Sequence, residues 1–225
     1  MEKESLISVI MPVRNGSNYI REALDSLARQ GMEMEVIVVD DGSEDDTASI
    51  AAGAGCRVLS HPESFGPVRA KNTGLAAAKG AFILFLDHDD RLRDGALRTL
   101  MDALAADPQA MAVEAKVQDF LSPDAGPMPG TLVRPEPYYG LFTGAILIRR
   151  EAFDRIGPFP EQLQAGEIID WFSRMEQHQL KVRKIDAVTA DRRIHRTNFG
   201  KTHASVEMKD YAAILRARLQ RKARG

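Results

Sequence analysis

The residues best suited to chemistry in this chain are acids, and they come in clusters. Asp40-Asp41-Gly42-Ser43, Asp87-His88-Asp89-Asp90 and the turn from Pro12 to Asn15 each follow an apolar run of strand character. In open α/β sheets ligands bind outside the carboxyl ends of the strands, so this placement is informative. Asp87 and Asp89 lie two apart at the end of such a run, and in extended geometry both side chains leave the same side. Two hard oxygen donors converging beside a third carboxylate repel one another unless a cation joins them. A divalent metal bridging to a diphosphate meets that demand. Further along, Glu167 and Asp170 sit one helical turn apart on one face. His195 is flanked by Arg192, Arg193 and Arg196, cations that an anionic diphosphate attracts.

Elements that could hold these groups alternate along the first half of the chain. Leu6 to Met11 reads as a strand stopped by Pro12 and a turn at Asn15-Gly16. Ile20, Ala23, Leu24, Leu27 and Ala28 follow the spacing of an amphipathic helix, ended by Gly31. Val36 to Val39, Cys56 to Leu59 and Ala81 to Leu86 are further strands, with helices over Thr47 to Ala52 and about Pro67 to Lys79. Continuous β-branched runs separated by helices are what a parallel sheet covered on both faces requires.

After Leu86 the rhythm changes. A helix near Asp94 to Ala106, a strand over Met111 to Val117, a buried strand at Ala145 to Ile148 and a helix from Gly166 to Gln179 are expected. Ser122 to Pro137 carries five prolines and two glycines and reads as an irregular excursion over a site. A last helix, about His203 to Arg221, sets Met208, Tyr211, Ala212, Leu215 and Leu219 on one face. Its end holds Arg216, Arg218, Arg221, Lys222 and Arg224, read either as a solvated terminus complementing the helix dipole or as peripheral contact with an anionic membrane or acceptor.

Composition narrows the function. The 225 residues hold 30 Lys and Arg against 32 Asp and Glu, a net charge of −2 that offers no electrostatic footprint for nucleic acid. One cysteine, Cys56, excludes an internal disulfide and a multi-cysteine zinc site, and fits a reducing compartment. No signal-like segment or membrane-length apolar run is seen, so a cytoplasmic protein is expected. Gly53-Ala54-Gly55 precedes a strand where a dinucleotide fingerprint must follow one, and Gly200-Lys201-Thr202 lacks the earlier glycine of a P-loop.

Ser8-Val9-Ile10-Met11-Pro12-Val13-Arg14-Asn15, Val38-Val39-Asp40-Asp41-Gly42-Ser43, Arg69-Ala70-Lys71-Asn72-Thr73-Gly74 and Phe85-Leu86-Asp87-His88-Asp89-Asp90 occur here in a fixed order. With Gly144 to Arg150, Gly166-Glu167 and Asp170-Trp171, the set resembles the family 2 glycosyltransferases of the GT-A fold. The resemblance covers about Ser8 to Arg174 and, more weakly, Arg192 to Asn198. It implies one α/β, Rossmann-like GT-A domain over 1–225: a central, mostly parallel sheet flanked by helices, a small extra mixed sheet and a C-terminal helix. Within it, 1–90 would form the nucleotide-binding half, 91–200 the acceptor half and 201–225 the closing helix.

The resemblance further implies an inverting transfer of a sugar from a nucleoside-diphosphate donor, UDP-linked in most members. The acceptor would be a carbohydrate, a lipid-linked molecule or a peptide, and the cofactor Mg²⁺ or Mn²⁺. Pro12 and Arg14 would border the base and ribose, and Asp41 would accept from the base edge. Arg69 and Lys71 would contact the nucleotide, Asp87 would face the ribose and metal, and Asp89 would be the chief metal ligand, with His195 reaching the metal or diphosphate. The family's usual Gly-Glu-Asp is here Gly166-Glu167-Ile168, so Asp170 or Glu167 must stand in as base, with Asp170 preferred. The alternative is a nucleotide-sugar-binding protein without turnover, because Ile168 cannot take a proton.

Overall fold

A computed structural model describes residues 5–126, 128, 130–198, 202 and 204–222. Eight strands form one sheet in the order β3-β2-β1-β4-β7-β6-β8-β5. They are β1 (Ile7–Val13), β2 (Met34–Asp40), β3 (Arg57–Ser60), β4 (Phe82–Phe85), β5 (Arg91–Leu92), β6 (Ala110–Leu121), β7 (Ile146–Arg149) and β8 (Lys181–Ile194). The helices are α1 (Ile20–Ala28), α2 (Thr47–Gly53), α3 (Pro67–Ala77), α4 (Ala96–Ala105), α5 (Arg150–Ile156), α6 (Glu167–Gln177) and α7 (Ala204–Lys222).

β1 pairs in parallel with β2 and with β4, and β2 in parallel with β3. The chain therefore builds outward from β1 to β3, then returns to the other side of β1 to lay down β4. That reversal opens a crevice at the carboxyl ends of β1 and β4, where the turn after Val13 and the acidic run after Leu86 lie. Pro12 sits inside β1 without breaking the ladder because β4 pairs only with Ile7 to Ile10.

Alternation along the strands divides the core between the two sheet faces. Ile7, Val9 and Met11 pack with Leu84 and Leu86 against Ile20, Leu24 and Leu27 of α1 and Leu97, Leu100 and Leu104 of α4. Ile10, Ile83 and Phe85 face the other way, onto Val68, Leu75, Phe153, Phe159 and Trp171. Trp171 is fully buried, and its indole N–H donates to the Gly157 carbonyl at 3.0 Å, so it is a core residue. Ile168 is buried in the same cluster.

The second half departs from expectation in two ways. The expected small extra sheet is instead a continuation of the main one: β7 pairs antiparallel with both β4 and β6, and β6 runs parallel to β8. On α7, expected as a closing helix, the apolar stripe faces solvent. Met208 is 70 % exposed, Leu215 59 % and Leu219 60 %, while Asp210 and Ile214 are the buried residues. The spacing was that of a helix; the face chosen for docking was the other one. No helix among the described residues is long and apolar enough to cross a membrane.

Candidate functional site

The crevice is built from two stitched turns and one acidic turn. Asn15 takes the left-handed conformation (φ 51°) and its side-chain oxygen accepts from Glu44 N–H at 2.9 Å. The Asn15 N–H donates to Ser43 Oγ, Gly16 N–H to Thr47 Oγ1 and Ser17 N–H to Asp45 Oδ2, tying the turn after β1 to the turn after β2. A Cβ at Gly16 would collide with the His88 ring and with Val13. Glycine is thus what allows the acidic turn 87–90 to lie against the Asn15-Gly16 turn.

In the acidic turn each carboxylate has a different environment. Asp87 Oδ1 lies 3.8 Å from Lys71 Nζ, whose ammonium is buried and lies 2.5 Å from Glu167 Oε1. Asp89 Oδ2 lies 2.8 Å from His195 Nε2 and accepts from Asn198 Nδ2 at 3.3 Å, while His195 Nδ1 meets Thr197 Oγ1. Asp90 Oδ1 accepts from the Arg193 N–H at 2.7 Å. Desolvation pushes the Asp87 carboxyl up despite Lys71, with the Asp89 and Glu167 charges adding to it. Desolvation also raises Asp90, well above the usual carboxylate range, with help from the Asp89 and Asp87 charges. Burial acts on Asp89 in the same sense, but the His195 hydrogen bond and the two nearby imidazoles outweigh it and hold that carboxyl down. Lys71 is pushed above its ordinary value: burial works against its charge, and the Glu167 and Asp87 carboxylates outweigh burial.

Arg193, expected to face a diphosphate, turns inward instead. Its guanidinium is ion-paired with Glu22, donates to the Asp89 carbonyl at 2.8 Å and to Ser122 Oγ at 3.2 Å, and stacks on the rings of Tyr19 and Phe120. It is 4 % exposed. A cation there fixes the backbone of the acidic turn. Tyr19 also packs on the His195 ring, with centroids 4.7 Å apart.

The remaining expected residues fall around the crevice unequally. Pro12 is buried at the end of β1 and Arg14 is exposed beside it. Asp41 is buried, and its carboxylate receives four partners: His61 Nδ1 at 2.7 Å, Ser64 Oγ at 2.7 Å, and the N–H groups of Phe65 and Gly66 at 2.9 Å. These fill the acceptor positions of a carboxylate, so in this conformation Asp41 orders the 61–66 loop and has no lone pair left for a base edge. Arg69 is exposed, 3.4 Å from Glu161 and stacked on Phe65. Asp170 is tied to Arg174 Nε at 3.1 Å and lines a cleft with Pro158, Pro160, Leu163 and Ile214. Of the two helix acids, Glu167 is the one linked by contacts to Asp87.

Residues 8–159 match the family described as Glycosyl transferase family 2. The chain belongs to that family. A pre-mycofactocin glycosyltransferase of Mycobacterium tuberculosis is 31 % identical over 194 residues, 79 % of this chain and 40 % of the relative. An uncharacterized glycosyltransferase of Rickettsia prowazekii is 45 % identical over 87 residues, 38 % of this chain and 27 % of the relative. The chain thus spans less than half the length of these curated relatives. Among solved structures, S. aureus TarS 1-349 in complex with UDP-GlcNAc superposes with a TM-score of 0.77 at 23 % identity, covering 96 % of this chain and 66 % of that one. Mannosyltransferase PcManGT from Pyrobaculum calidifontis in complex with GDP-Man and Mn2+ gives 0.66 at 20 % identity, covering 86 % of this chain and 58 % of that one. Those likenesses show the GT-A glycosyltransferase fold.

The family's metal can be tested against these side chains. Among the described residues no three His, Cys, Asp or Glu are already gathered into a cage. The donors available are nonetheless hard oxygens; desolvation raises Asp87 and Asp90, the neighbouring carboxylate charges add to it, and a divalent cation would relieve both. Asp87 and Asp89 are the side chains that would hold such an ion.

Residues that sequence reasoning did not single out complete the site. His61 bridges Asp41 and Thr73, and Glu22 anchors Arg193 from α1. Both are ordinary surface-type residues in sequence, with no spacing that betrays their partners.

Proposed function

We propose that this chain transfers a glycosyl group from a nucleoside-diphosphate sugar, UDP-linked by preference, to an acceptor hydroxyl with inversion at the anomeric carbon. The observation that carries the reading is the acidic turn at the end of β4, with Asp87 tied through Lys71 to Glu167 and Asp89 tied to His195. A divalent cation held by Asp87 and Asp89 would neutralise charge developing on the departing diphosphate. Arg14, exposed at the mouth of the crevice, is free to meet the donor's negative charge. The Asn15 and Gly16 turns shape the wall against which base and ribose would lie. That Asp41 is saturated by His61, Ser64, Phe65 and Gly66 favours an indirect role for it, holding that wall in place.

The acceptor's proton needs a base, and placement reverses the preference between the two carboxylates. Both carboxylates are ion-paired, Asp170 to Arg174 on the α7 side and Glu167 to Lys71, and it is the Glu167 pair that adjoins Asp87. We assign Glu167 as the acceptor-side base, oriented by Lys71, and Asp170 as a brace for α6. A carboxylate that takes a proton from the attacking hydroxyl must lie within hydrogen-bond reach of it, and geometry precedes pKa in that choice.

The test measures donor binding and turnover separately. With UDP-sugars and Mn²⁺, Glu167→Gln should lose roughly 10²-fold or more in turnover with donor affinity nearly unchanged. Asp170→Asn should keep turnover within a few-fold. A dead Asp170→Asn beside an active Glu167→Gln overturns the assignment. Mn²⁺-dependent donor binding with no hydrolysis or transfer in wild type identifies a binding protein instead, as Ile168 allows.

A further inference from the structure

We infer that the outward face of α7 is a docking surface for an anionic lipid bilayer. Among the described residues, three of the eight exposed large apolar side chains, Met208, Leu215 and Leu219, fall on one face of this helix, while the edge of the Tyr211 ring packs onto Gly166. At roughly 100° per residue these three and Ala212 share one stripe, and the buried Asp210 and Ile214 lie away from it. The inward face is already satisfied. Asp210 Oδ2 accepts the N–H groups of Gln164 and Ala165 at 2.7 and 3.0 Å, and Ile214 packs over Gly166. The helix is thus anchored by one side and presents the other.

Charge selects the occupant. From Ala204 to Arg224 the sequence has six cations, Lys209, Arg216, Arg218, Arg221, Lys222 and Arg224, against two acids, Glu207 and Asp210, although the whole chain is at −2. Asp210 is turned inward onto the 164–165 backbone, and Arg218 is paired with Glu176 at 2.7 Å. Lys209 and Arg216 are exposed and border the stripe on one side. An apolar stripe edged with cations lies well in the interface of a bilayer whose headgroups are negative. A second copy of this chain fits worse, because antiparallel two-fold pairing of the stripe sets one row of cations against its own image.

The surface rests on α7 alone and stands apart from the glycosyltransferase reading. The full chain should co-float with phosphatidylcholine–phosphatidylglycerol vesicles and not with phosphatidylcholine alone, and added salt should weaken it. Lys209→Ala with Arg216→Ala should lower partitioning by roughly 5-fold for each cation removed. Leu215→Glu with Leu219→Glu should abolish it; both residues are exposed, so the fold should survive, which thermal melting checks. Absence of wild-type flotation overturns the proposal, as does flotation unaffected by the glutamates. So does light scattering that finds a dimer dissolved by the glutamates without vesicle binding. UDP affinity, measured by calorimetry without vesicles, reports the donor site separately and should be equal in wild type and the glutamate variant.

Discussion

Lys71 is the residue whose loss the structure makes most costly. Its ammonium is buried between Glu167 Oε1 at 2.5 Å and Asp87 Oδ1 at 3.8 Å. Lys71→Met keeps the length of the side chain and removes the charge, leaving Glu167 buried without its counter-ion. At an effective dielectric constant of about 20, unit charges 3.8 Å apart attract by roughly 4 kcal/mol, and the desolvation of the pair offsets much of that. Removing one partner of a buried pair costs about 3–5 kcal/mol, because the other charge is then stranded. The Asp87 side chain is 36 % exposed, so water takes over its share and the lower end, about 3 kcal/mol, is expected. The pH behaviour carries the proof. In wild type the folded value of Lys71 is raised, so its contribution is full below the ordinary lysine value and is lost only in strong alkali. Between pH 5 and 8 that contribution is flat. In Lys71→Met the Asp87 carboxyl, already pushed up by desolvation, loses the cation that opposes that shift, so the variant's deficit should shrink as pH falls toward 5. Urea unfolding at several pH values measures both, and Lys71→Met with Glu167→Leu should recover most of the loss. A deficit under about 1 kcal/mol, or a double variant weaker than the single, would show that the pair does not hold this part of the fold.

Other perturbations follow from the same geometry. Asp89→Ala should abolish Mn²⁺-dependent UDP affinity while leaving far-UV circular dichroism unchanged, and calorimetry showing equal affinity would sink that reading. His195→Ala removes the group 2.8 Å from Asp89 and should weaken Mn²⁺-dependent UDP binding, whereas an affinity equal to wild type would make the residue structural. Asp45 is held down to about 2, where burial is outweighed by hydrogen bonds from Thr47 and Ser17. Its contribution is therefore present above the ordinary aspartate value and lost as pH falls through 2. Because the residue is exposed, Asp45→Asn should cost only about 1 kcal/mol at pH 7, with the two proteins converging below pH 3. Gly16→Ala should cost about 1–3 kcal/mol and loosen the acidic turn, since its methyl group meets His88 and Val13; an unshifted melting temperature would contradict the packing.

The parallel half was legible because β1, β4 and the second half of β2 are buried on both faces and so read as continuous apolar runs bounded by turn residues. β8 was not. It carries Lys181, Arg183, Lys184, Asp186, Asp191, Arg192 and Arg193, alternates poorly, and is a strand because β6 lies beside it through its length. β5 is two residues long and exists only as a partner of β8. The same gap hid the second side of the site. Asp87, Asp89 and His195 were visible as residue types; that His195 meets Asp89 directly is seen only in the fold. The inward role of Arg193 was invisible because it depends on Glu22, which sequence places on the polar face of α1. For α7 the period was readable and the docked side was not. An apolar stripe outbids a face bearing an acid in any sequence rule, yet Asp210 docks by capping two backbone N–H groups.

The long reach of β8 also sets when the acidic turn can be completed. His195 meets Asp89 across 106 residues of chain, and Arg193 meets Glu22 across 171. Closing such loops costs entropy before any contact rewards it, and folds rich in distant pairings fold slowly. At about 5–20 residues per second, roughly 5–20 s of synthesis separate the emergence of Asp89 from that of His195. Throughout that interval β1 to β4 can pair, but the Asp87–Asp90 turn lacks the His195 imidazole and Arg193, and for most of it Glu167 as well. A nascent chain of this protein therefore carries a crowded patch of carboxylates at the open end of its first sheet, with Lys71 as its early counter-ion, exposed until the last strand slides into place beside β6.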